Sequence, residues 1–309
     1  MINYKANDNW FGDIRHLAKS WTMVRIMRWV FFVGIFSLIV VEGVIWFDLT
    51  RYISMNTQAF SLLGVILSIL LVFRTNTAYD RWWEGRKQWG ALVNHSRNFA
   101  IYVHAMFPKE DVKTRRFFAK YISNFCLALV EHLRKGVKLE DLIYLREDEI
   151  EEYKKKVHIP NYIALRLFEE LAAAHRNEEI NLGDYINIKA QHQALLDILG
   201  ACERIKKTPI PFSYNVFLKI FVTFYCVLLP FALVTTFGHI TILLAMFLTF
   251  ALLGVELMGE EIEDPFALNC NDLPTGDIAR TISNNVFEIL ESRSDVGRTQ
   301  ETELYEKVF

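Results

Sequence analysis

The 309-residue sequence has no excess of charge of either sign, because 34 lysines and arginines face 36 aspartates and glutamates and the formal net charge is −2. A nucleic-acid-binding surface needs clustered basic residues, so this balance argues against a nucleic-acid partner. Cysteine is also scarce. Its four copies, Cys126, Cys202, Cys226 and Cys270, are far apart and form no CxxC pair, which argues against a disulfide framework. The N-terminal residues contain no apolar h-region, and we expect no cleaved signal peptide.

Motifs for catalysis are missing as well. The sequence contains no GxGxxG, Walker-type or GxSxG motif. No motif places a catalytic base near a serine, threonine or cysteine nucleophile. The histidines show no HxxxH or HExxH spacing; those considered are His95, His104, His132, His158, His175, His192 and His239. We therefore predict no enzymatic activity, no cofactor and no metal site.

Apolar residues are abundant and clustered. They make up 52% of the chain with 24 phenylalanines, yet 23% of the residues are charged. Long apolar runs occupy residues 29–47, 60–73, 216–237 and 239–255. Because about twenty apolar residues cross a bilayer, these runs indicate four transmembrane helices. The second run is short and taken alone could be a buried core helix; beside the first, it is read as a membrane helix whose lower end is surrounded by protein.

The rest of the chain shows helical periodicity and no strand-like alternation. The predicted fold class is an all-α membrane protein with about four transmembrane helices per subunit and a helical cytosolic domain. We divide the chain into an N-terminal amphipathic segment, the first two membrane helices, the cytosolic domain, the last two membrane helices and a C-terminal loop, helix and tail: residues 1–22, 23–85, 86–210, 211–258 and 259–309.

The basic residues predict the topology. Few of them lie in the two links at residues 48–58 and at Gly238, whereas many flank the other ends of the apolar runs: Lys5, Arg15, Lys19, Arg25, Arg28, Arg74, Arg81, Arg86, Lys87, Lys206 and Lys207. Short loops rich in lysine and arginine stay in the cytoplasm. Both termini and the middle domain are therefore expected to be cytoplasmic.

One face of the second membrane helix carries a regular apolar stripe. Val65, Ile69 and Phe73 stand at positions i, i+4 and i+8, so they share a face. In an oligomer whose copies of this helix surround an axis, they would form stacked apolar rings and line a pore. Ordinary packing against another helix is the alternative, and spacing alone favours it. The helix is unusual for packing, however, because its apolar part is short and is joined directly to an amphipathic extension.

The segment after the fourth membrane run contains hard oxygen ligands. They are supplied by Asp264, Asn269, Asn271 and Asp272, and such groups bind calcium. Capping of the loop by hydrogen bonds is the alternative, and it is the default because the acids are few.

Several motifs together resemble those of bacterial bestrophin homologues. They occur in that family's order and extend over nearly the whole chain: FRTN at 73–76, AYDRWWE at 78–84 with Arg86, ERI at 203–205, TPIPF at 208–212, EDPF at 263–266 and NDLP at 271–274. Each motif is weak alone, and the combination is specific.

The resemblance implies a homopentameric ion channel that passes small monovalent ions passively through one central pore. It assigns Val65, Ile69 and Phe73 to the pore neck and Ile210 to a cytosolic aperture. Asp264, Asn269, Asn271 and Asp272 would occupy a degenerate form of the calcium clasp of animal members. The family role is that of a chloride channel, and bacterial members also pass cations. The expected location is the lipid bilayer of the bacterial inner membrane.

Two other functions compete with a channel. A membrane-anchored helical scaffold or enzyme would have no pore, and a monomer or a bound metal or cofactor would favour it. A secondary transporter is less favoured, because the apolar runs lack paired midplane ionisable residues and repeated broken helices.

Overall fold

The computed structural model describes residues 10–18, 20–49, 52 and 57–290. The topology prediction also used Lys5, Lys19 and residues of the link at 48–58 that lie outside the described residues. The predicted C-terminal tail lies outside the described residues as well.

The described ranges are helical and contain no strand, which confirms the predicted all-α fold class. Apart from a short 3-10 helix at Leu139–Asp141, the helices are α1 Trp10–Ala18, α2 Trp21–Trp46, α3 Thr57–Met106, α4 Val112–His132, α5 Glu147–Lys154, α6 Ile159–Arg176, α7 Leu182–Lys207, α8 Phe212–Phe237, α9 Ile240–Ile262 and α10 Thr275–Ile289. By length and composition, α2, α3, α8 and α9 are able to cross a membrane.

Local sequence explains where several of these helices begin and end. The Ser20 side chain accepts a hydrogen bond from the backbone N–H of Met23 and caps α2, as short polar side chains do at helix N-termini. Gly238, with φ of 52°, separates α8 from α9 in a conformation that glycine adopts at little cost. Helix α7 ends at Lys207, just before Pro209 and Pro211, because proline removes a backbone donor and disfavours a helical conformation in the residue before it.

The chain forms two compact units. The membrane unit contains the described residues up to Arg81 and residues 209–264. The helical unit contains Trp82–Thr208 and residues 265–290. Helix α3 contributes its first half to the membrane unit and its second half to the helical unit. The functional division of the chain made from the sequence stays a prediction.

Small residues allow the helices of the membrane unit to pack closely. A Cβ atom placed on Gly64 of α3 would lie 2.5 Å from the hydroxyl oxygen of Tyr225 on α8. One turn earlier, the rings of Phe60 and Tyr225 stack with centroids 4.5 Å apart. Gly34 of α2 similarly faces Met246 of α9, whose sulfur would lie 2.9 Å from an added Cβ. Such contacts are typical of helix packing in membranes.

Aromatic and aliphatic side chains form the core of the helical unit. Helix α4 packs against α6 and α10, and its Phe118, Phe125 and Leu129 are fully buried. Asn124 of the same helix exchanges two hydrogen bonds with the backbone of Ile143. A polar side chain inside this core is thus satisfied by an otherwise irregular segment.

Candidate functional site

The Val65, Ile69 and Phe73 stripe is exposed in the protomer. Relative exposures are 56%, 51% and 62%, respectively. The buried residues of this half of α3 lie on the opposite face and pack into the membrane unit: Phe60, Leu67, Leu71, Arg74 and Ala78. Packing within one protomer therefore does not account for the stripe, and its face is left for lipid, water or another copy of the chain.

The stripe has an apolar middle and hydroxyl groups at both ends. Ser61 lies one turn before Val65 and Thr77 one turn after Phe73, and both are exposed. Each hydroxyl donates to the backbone carbonyl four residues earlier, at 2.8 Å for Ser61 and 2.9 Å for Thr77. At 1.5 Å per residue, the apolar stretch from Val65 to Phe73 is about 12 Å long.

Arg74, next to Phe73, points into the membrane unit and is only 1% exposed. Its Nη2 lies 3.1 Å from Oε2 of Glu263, and its Nε lies 3.9 Å from Oε1 of Glu256. A buried charge is costly unless it is paired, so these carboxylates explain how the arginine is tolerated in an apolar helix. The charge of Arg74 thus lies on the side of α3 away from the stripe.

Glu263, at the end of α9, contacts three places at once. Its carboxylate pairs with Arg74 and accepts a hydrogen bond of 2.9 Å from the backbone N–H of Ile210. Its backbone carbonyl accepts a hydrogen bond of 3.0 Å from Nε of Arg81. This residue connects the predicted neck helix to the predicted aperture segment.

Other acids at the end of α9 also bind neighbouring helices. Glu260 pairs with Arg25 of α2 at 3.4 Å and with Lys219 of α8 at 2.8 Å. Glu261 accepts a hydrogen bond of 2.7 Å from the hydroxyl of Thr22. Residue spacing could not predict this role, because the partners are distant along the chain.

The structure places Ile210 differently from the exposed stripe. Its side chain is only 6% exposed, whereas the flanking Pro209 and Pro211 are exposed. The two prolines therefore lie at the surface of the protomer, while the backbone N–H of Ile210 ties the segment to Glu263.

The loop residues considered for calcium are held by hydrogen bonds. Asp272 is buried, and its carboxylate accepts a hydrogen bond from the backbone N–H of Asn269. The carbonyl of Asn271 accepts from Nε1 of Trp82 at 2.9 Å. Asp264 belongs to the membrane unit, and the other three belong to the helical unit. These contacts are those of the capping alternative.

The helical unit also brings together a cluster that spacing motifs did not reveal. His132 and His158 both contact the carboxylate of Glu203, each at 2.7 Å. Burial alone would raise the pKa of Glu203, but its hydrogen bonds with the two histidines and Lys207 lower it to about 2. In the sequence, Glu203 belongs to the family motif ERI at 203–205, but that motif does not indicate which residues Glu203 contacts.

These features define a class, that of multi-pass all-α membrane proteins. The four apolar helices, the exposed stripe on α3 and the buried charges that anchor the same helix belong together in one unit.

The particular family follows from comparison with known proteins. The family model described as bacterial/fungal bestrophin protein matches residues 1–288. The chain therefore belongs to the bacterial and fungal bestrophin family. Membership confirms the resemblance seen in the sequence and, with it, the prediction of an ion channel and not an enzyme.

Individual relatives match over most of their lengths. The chain is 36% identical over 232 residues to the voltage-dependent anion channel-forming protein alr2987 of Nostoc, covering 73% of this chain and 75% of that protein. It is 31% identical over 280 residues to protein mll4386 of Mesorhizobium japonicum, which has the same descriptive name, with coverages of 91% and 90%. A crystal structure of a substituted bestrophin homologue from Klebsiella pneumoniae superposes with a TM-score of 0.80 at 29% identity, covering 86% of this chain and 98% of that one.

Proposed function

We propose that the chain assembles as a homopentamer around one central pore and passes small monovalent ions passively. The observation that carries this proposal is the exposed stripe of Val65, Ile69 and Phe73, opposite the buried face of a membrane helix. Each protomer has one copy of α3, and a single helix cannot enclose a pore. Closed rotational symmetry, however, places several copies of the stripe around an axis.

The stripe would act as a hydrophobic neck. Rings of aliphatic and aromatic side chains hinder the passage of water and ions and gate by dewetting, while charged or polar groups nearby govern the sign of the ion. The hydroxyl groups of Ser61 and Thr77 would offer polar contacts to ions at the two ends of the neck. Chloride is the ion to test first, because relatives of this chain are named anion channel-forming proteins.

The segment around Ile210 is proposed as the second constriction, at the cytosolic exit. In the protomer the side chain of Ile210 is buried, so its contribution would be to hold Pro209 and Pro211 in place. The hydrogen bond from Ile210 to Glu263 supports such an anchoring role.

We place the protein in the lipid bilayer of the bacterial inner membrane, with both termini in the cytoplasm. The division at residues 1–22, 23–85, 86–210, 211–258 and 259–309 then separates membrane from cytosolic parts. Basic residues such as Arg25 and Lys219 near the ends of α2 and α8 support this orientation.

Flux through the purified protein tests the proposal. The protein is reconstituted in planar bilayers under asymmetric potassium chloride, and the reversal potential gives the sign of the carrier. Phe73→Ala widens the proposed neck and is expected to raise the conductance. Phe224→Ala is the matched control, because Phe224 of α8 is a membrane-helix phenylalanine with 63% exposure; it is expected to leave the conductance unchanged.

Two results would contradict the proposal. One is the absence of ion flux from correctly assembled wild-type protein at any voltage. The other is an equal change in conductance from Phe73→Ala and Phe224→Ala, which would mean that the stripe has no special relation to the ion path.

A further inference from the structure

Three metal-ligating side chains of the helical unit meet at one point. The Nε2 atoms of His132 and His158 each lie 2.7 Å from Oε1 of Glu203, and the two imidazole rings are 4.4 Å apart. One ligand atom from each residue lies within 4.8 Å of the others. In the part of the chain that the structure describes, this is the one such group of three histidine, cysteine or acidic side chains.

The three residues come from different helices, which fixes their relative positions. His132 is the last residue of α4, His158 caps the N-terminus of α6, and Glu203 lies in the last turns of α7. Their side chains are 21%, 31% and 20% exposed. The cluster is thus held by the fold and remains open to solvent on one side.

We propose that His132, His158 and Glu203 bind a divalent first-row transition ion, with zinc as the representative ion. Two imidazoles and one carboxylate are a donor set that zinc accepts, and the fourth position would be taken by water. Ligands about 2.0–2.2 Å from a tetrahedral ion lie roughly 3.3–3.6 Å from one another. The 2.7 Å contacts would therefore open by about 0.6–0.9 Å on binding.

The surroundings orient the carboxylate for this role. Lys207 Nζ lies 3.1 Å from Oε2 of Glu203, which leaves Oε1 directed at both histidines. Polar partners outside the ligand set orient the ligands of metal sites in the same way.

Binding has a definite proton requirement. Each histidine must present the lone pair of Nε2, so its remaining proton resides on Nδ1 and any other proton leaves to solvent. In His158, Nδ1 accepts a hydrogen bond of 3.3 Å from the backbone N–H of Asn161. The metal-bound form gives up this long bond.

Metal stoichiometry tests the proposal without any measurement of flux, so failure of the zinc proposal and failure of the proposed channel are separate results. A zinc ion held within the helical unit does not by itself favour a scaffold without a pore, because the proposed pore stripe belongs to the membrane unit. Full-length protein in detergent, freed of any affinity tag, is equilibrated with zinc chloride and dialysed, and bound zinc is measured by elemental mass spectrometry. About one zinc per chain is expected. His132→Ala is expected to weaken binding about tenfold or more.

His175→Ala is the matched control. His175 lies on α6 in the same unit, and its ring stacks on Tyr185 at 4.8 Å, outside the cluster. Its loss is expected to leave zinc binding unchanged. Glu203→Gln is a second variant of the cluster, which keeps the size of the side chain and is expected to weaken zinc binding while the elution volume of the assembly stays the same.

The proposal would be overturned if wild-type protein held no more zinc than His132→Ala. It would also be overturned if Glu203→Gln left zinc binding unchanged, or if His175→Ala weakened zinc binding as much as His132→Ala. If His132→Ala does not fold, Glu203→Gln and the wild-type stoichiometry decide the question.

Discussion

At the scale of single residues, Glu263 links three parts of the membrane unit. Its carboxylate neutralises the buried Arg74 and receives the N–H of Ile210, while its carbonyl receives Arg81. A change at this one side chain would therefore disturb both the proposed neck helix and the proposed aperture segment.

Glu263→Gln is expected to destabilise the protein strongly. The substitution keeps the shape but leaves the Arg74 charge with Glu256 at 3.9 Å as its remaining carboxylate. Removing one partner of a buried ion pair costs about 3–5 kcal/mol. The apparent melting temperature of the detergent-purified protein should fall clearly.

Glu42→Gln is the control for this prediction. Glu42 pairs with His239 at 3.3 Å, but both side chains are more than half exposed, and such surface pairs contribute little. Equal melting temperatures for the Glu263 and Glu42 variants would show that the buried pair does not stabilise the membrane unit.

Glu149 makes a pH-dependent contribution in the helical unit. Its carboxylate accepts from Lys120 at 2.7 Å, from the hydroxyl of Tyr121 at 2.9 Å and from the N–H of Arg146 at 2.9 Å. Burial alone would raise its pKa, but these hydrogen bonds outweigh burial and lower the pKa below its usual value of 4.5. The ionised form is therefore the one that stabilises the fold.

Glu149→Gln is expected to lower the free energy of unfolding by about 1.5–3 kcal/mol at neutral pH, because hydrogen bonds to a charged group are lost. The depressed pKa means that the wild-type advantage is complete above pH 4.5 and is lost as the pH falls through the folded-state value. Denaturant titrations of both proteins, at pH values from neutral to below 4.5, measure this difference in the free energy of unfolding. Glu151→Gln, whose side chain is 65% exposed, should have little effect. A difference between wild type and Glu149→Gln that does not depend on pH would contradict the assignment.

At the scale of elements, the close approach of α3 and α8 depends on Gly64. An alanine there would place its Cβ 2.5 Å from the hydroxyl oxygen of Tyr225 and 3.2 Å from the adjoining ring carbon. Gly64→Ala is therefore expected to cost about 1–3 kcal/mol through overpacking.

Tyr225→Phe removes the nearest of these atoms, so the double variant should recover part of the lost melting temperature. A double-mutant cycle measures this coupling. If the effects of Gly64→Ala and Tyr225→Phe simply add, the two side chains do not compete for the same space.

Patterns in the sequence predict the helices well, because the causes are local. Gly238 and the prolines around Ile210 lie at helix ends in the structure. The second apolar run is short for a membrane helix, but the helix that contains it, α3, continues to Met106 without a break. The acids at the end of α9 bind Thr22, Arg25, Arg74 and Lys219, which lie 41 or more residues away along the chain, so residue spacing could not predict these contacts.

At the scale of the whole molecule, family motifs predict the class of fold that no single run of residues could establish. Spacing placed Val65, Ile69 and Phe73 on one face, but only the structure shows that the protomer leaves that face uncovered. The contacts of Glu203 with His132 and His158 span 71 and 45 residues, so motif spacing could not predict them.

The assembly itself is open to direct measurement. Five copies of the 36.1 kDa chain have a mass of about 180 kDa. Native mass spectrometry of the detergent-purified protein is expected to give this mass. A monomer would instead favour a membrane-anchored scaffold, because one protomer cannot surround a pore with α3.

The most direct test of the central claim is whether the stripe faces the ion path. The current through Ile69→Cys channels is recorded in bilayers before and after a charged, water-soluble thiol reagent is added. In these channels Cys270, the least buried native cysteine, is replaced by serine. Phe224→Cys on α8 is the control. We expect the reagent to block the current through Ile69→Cys channels and to leave the current through Phe224→Cys channels unaffected. Unchanged current through a fully modified Ile69→Cys channel would contradict it.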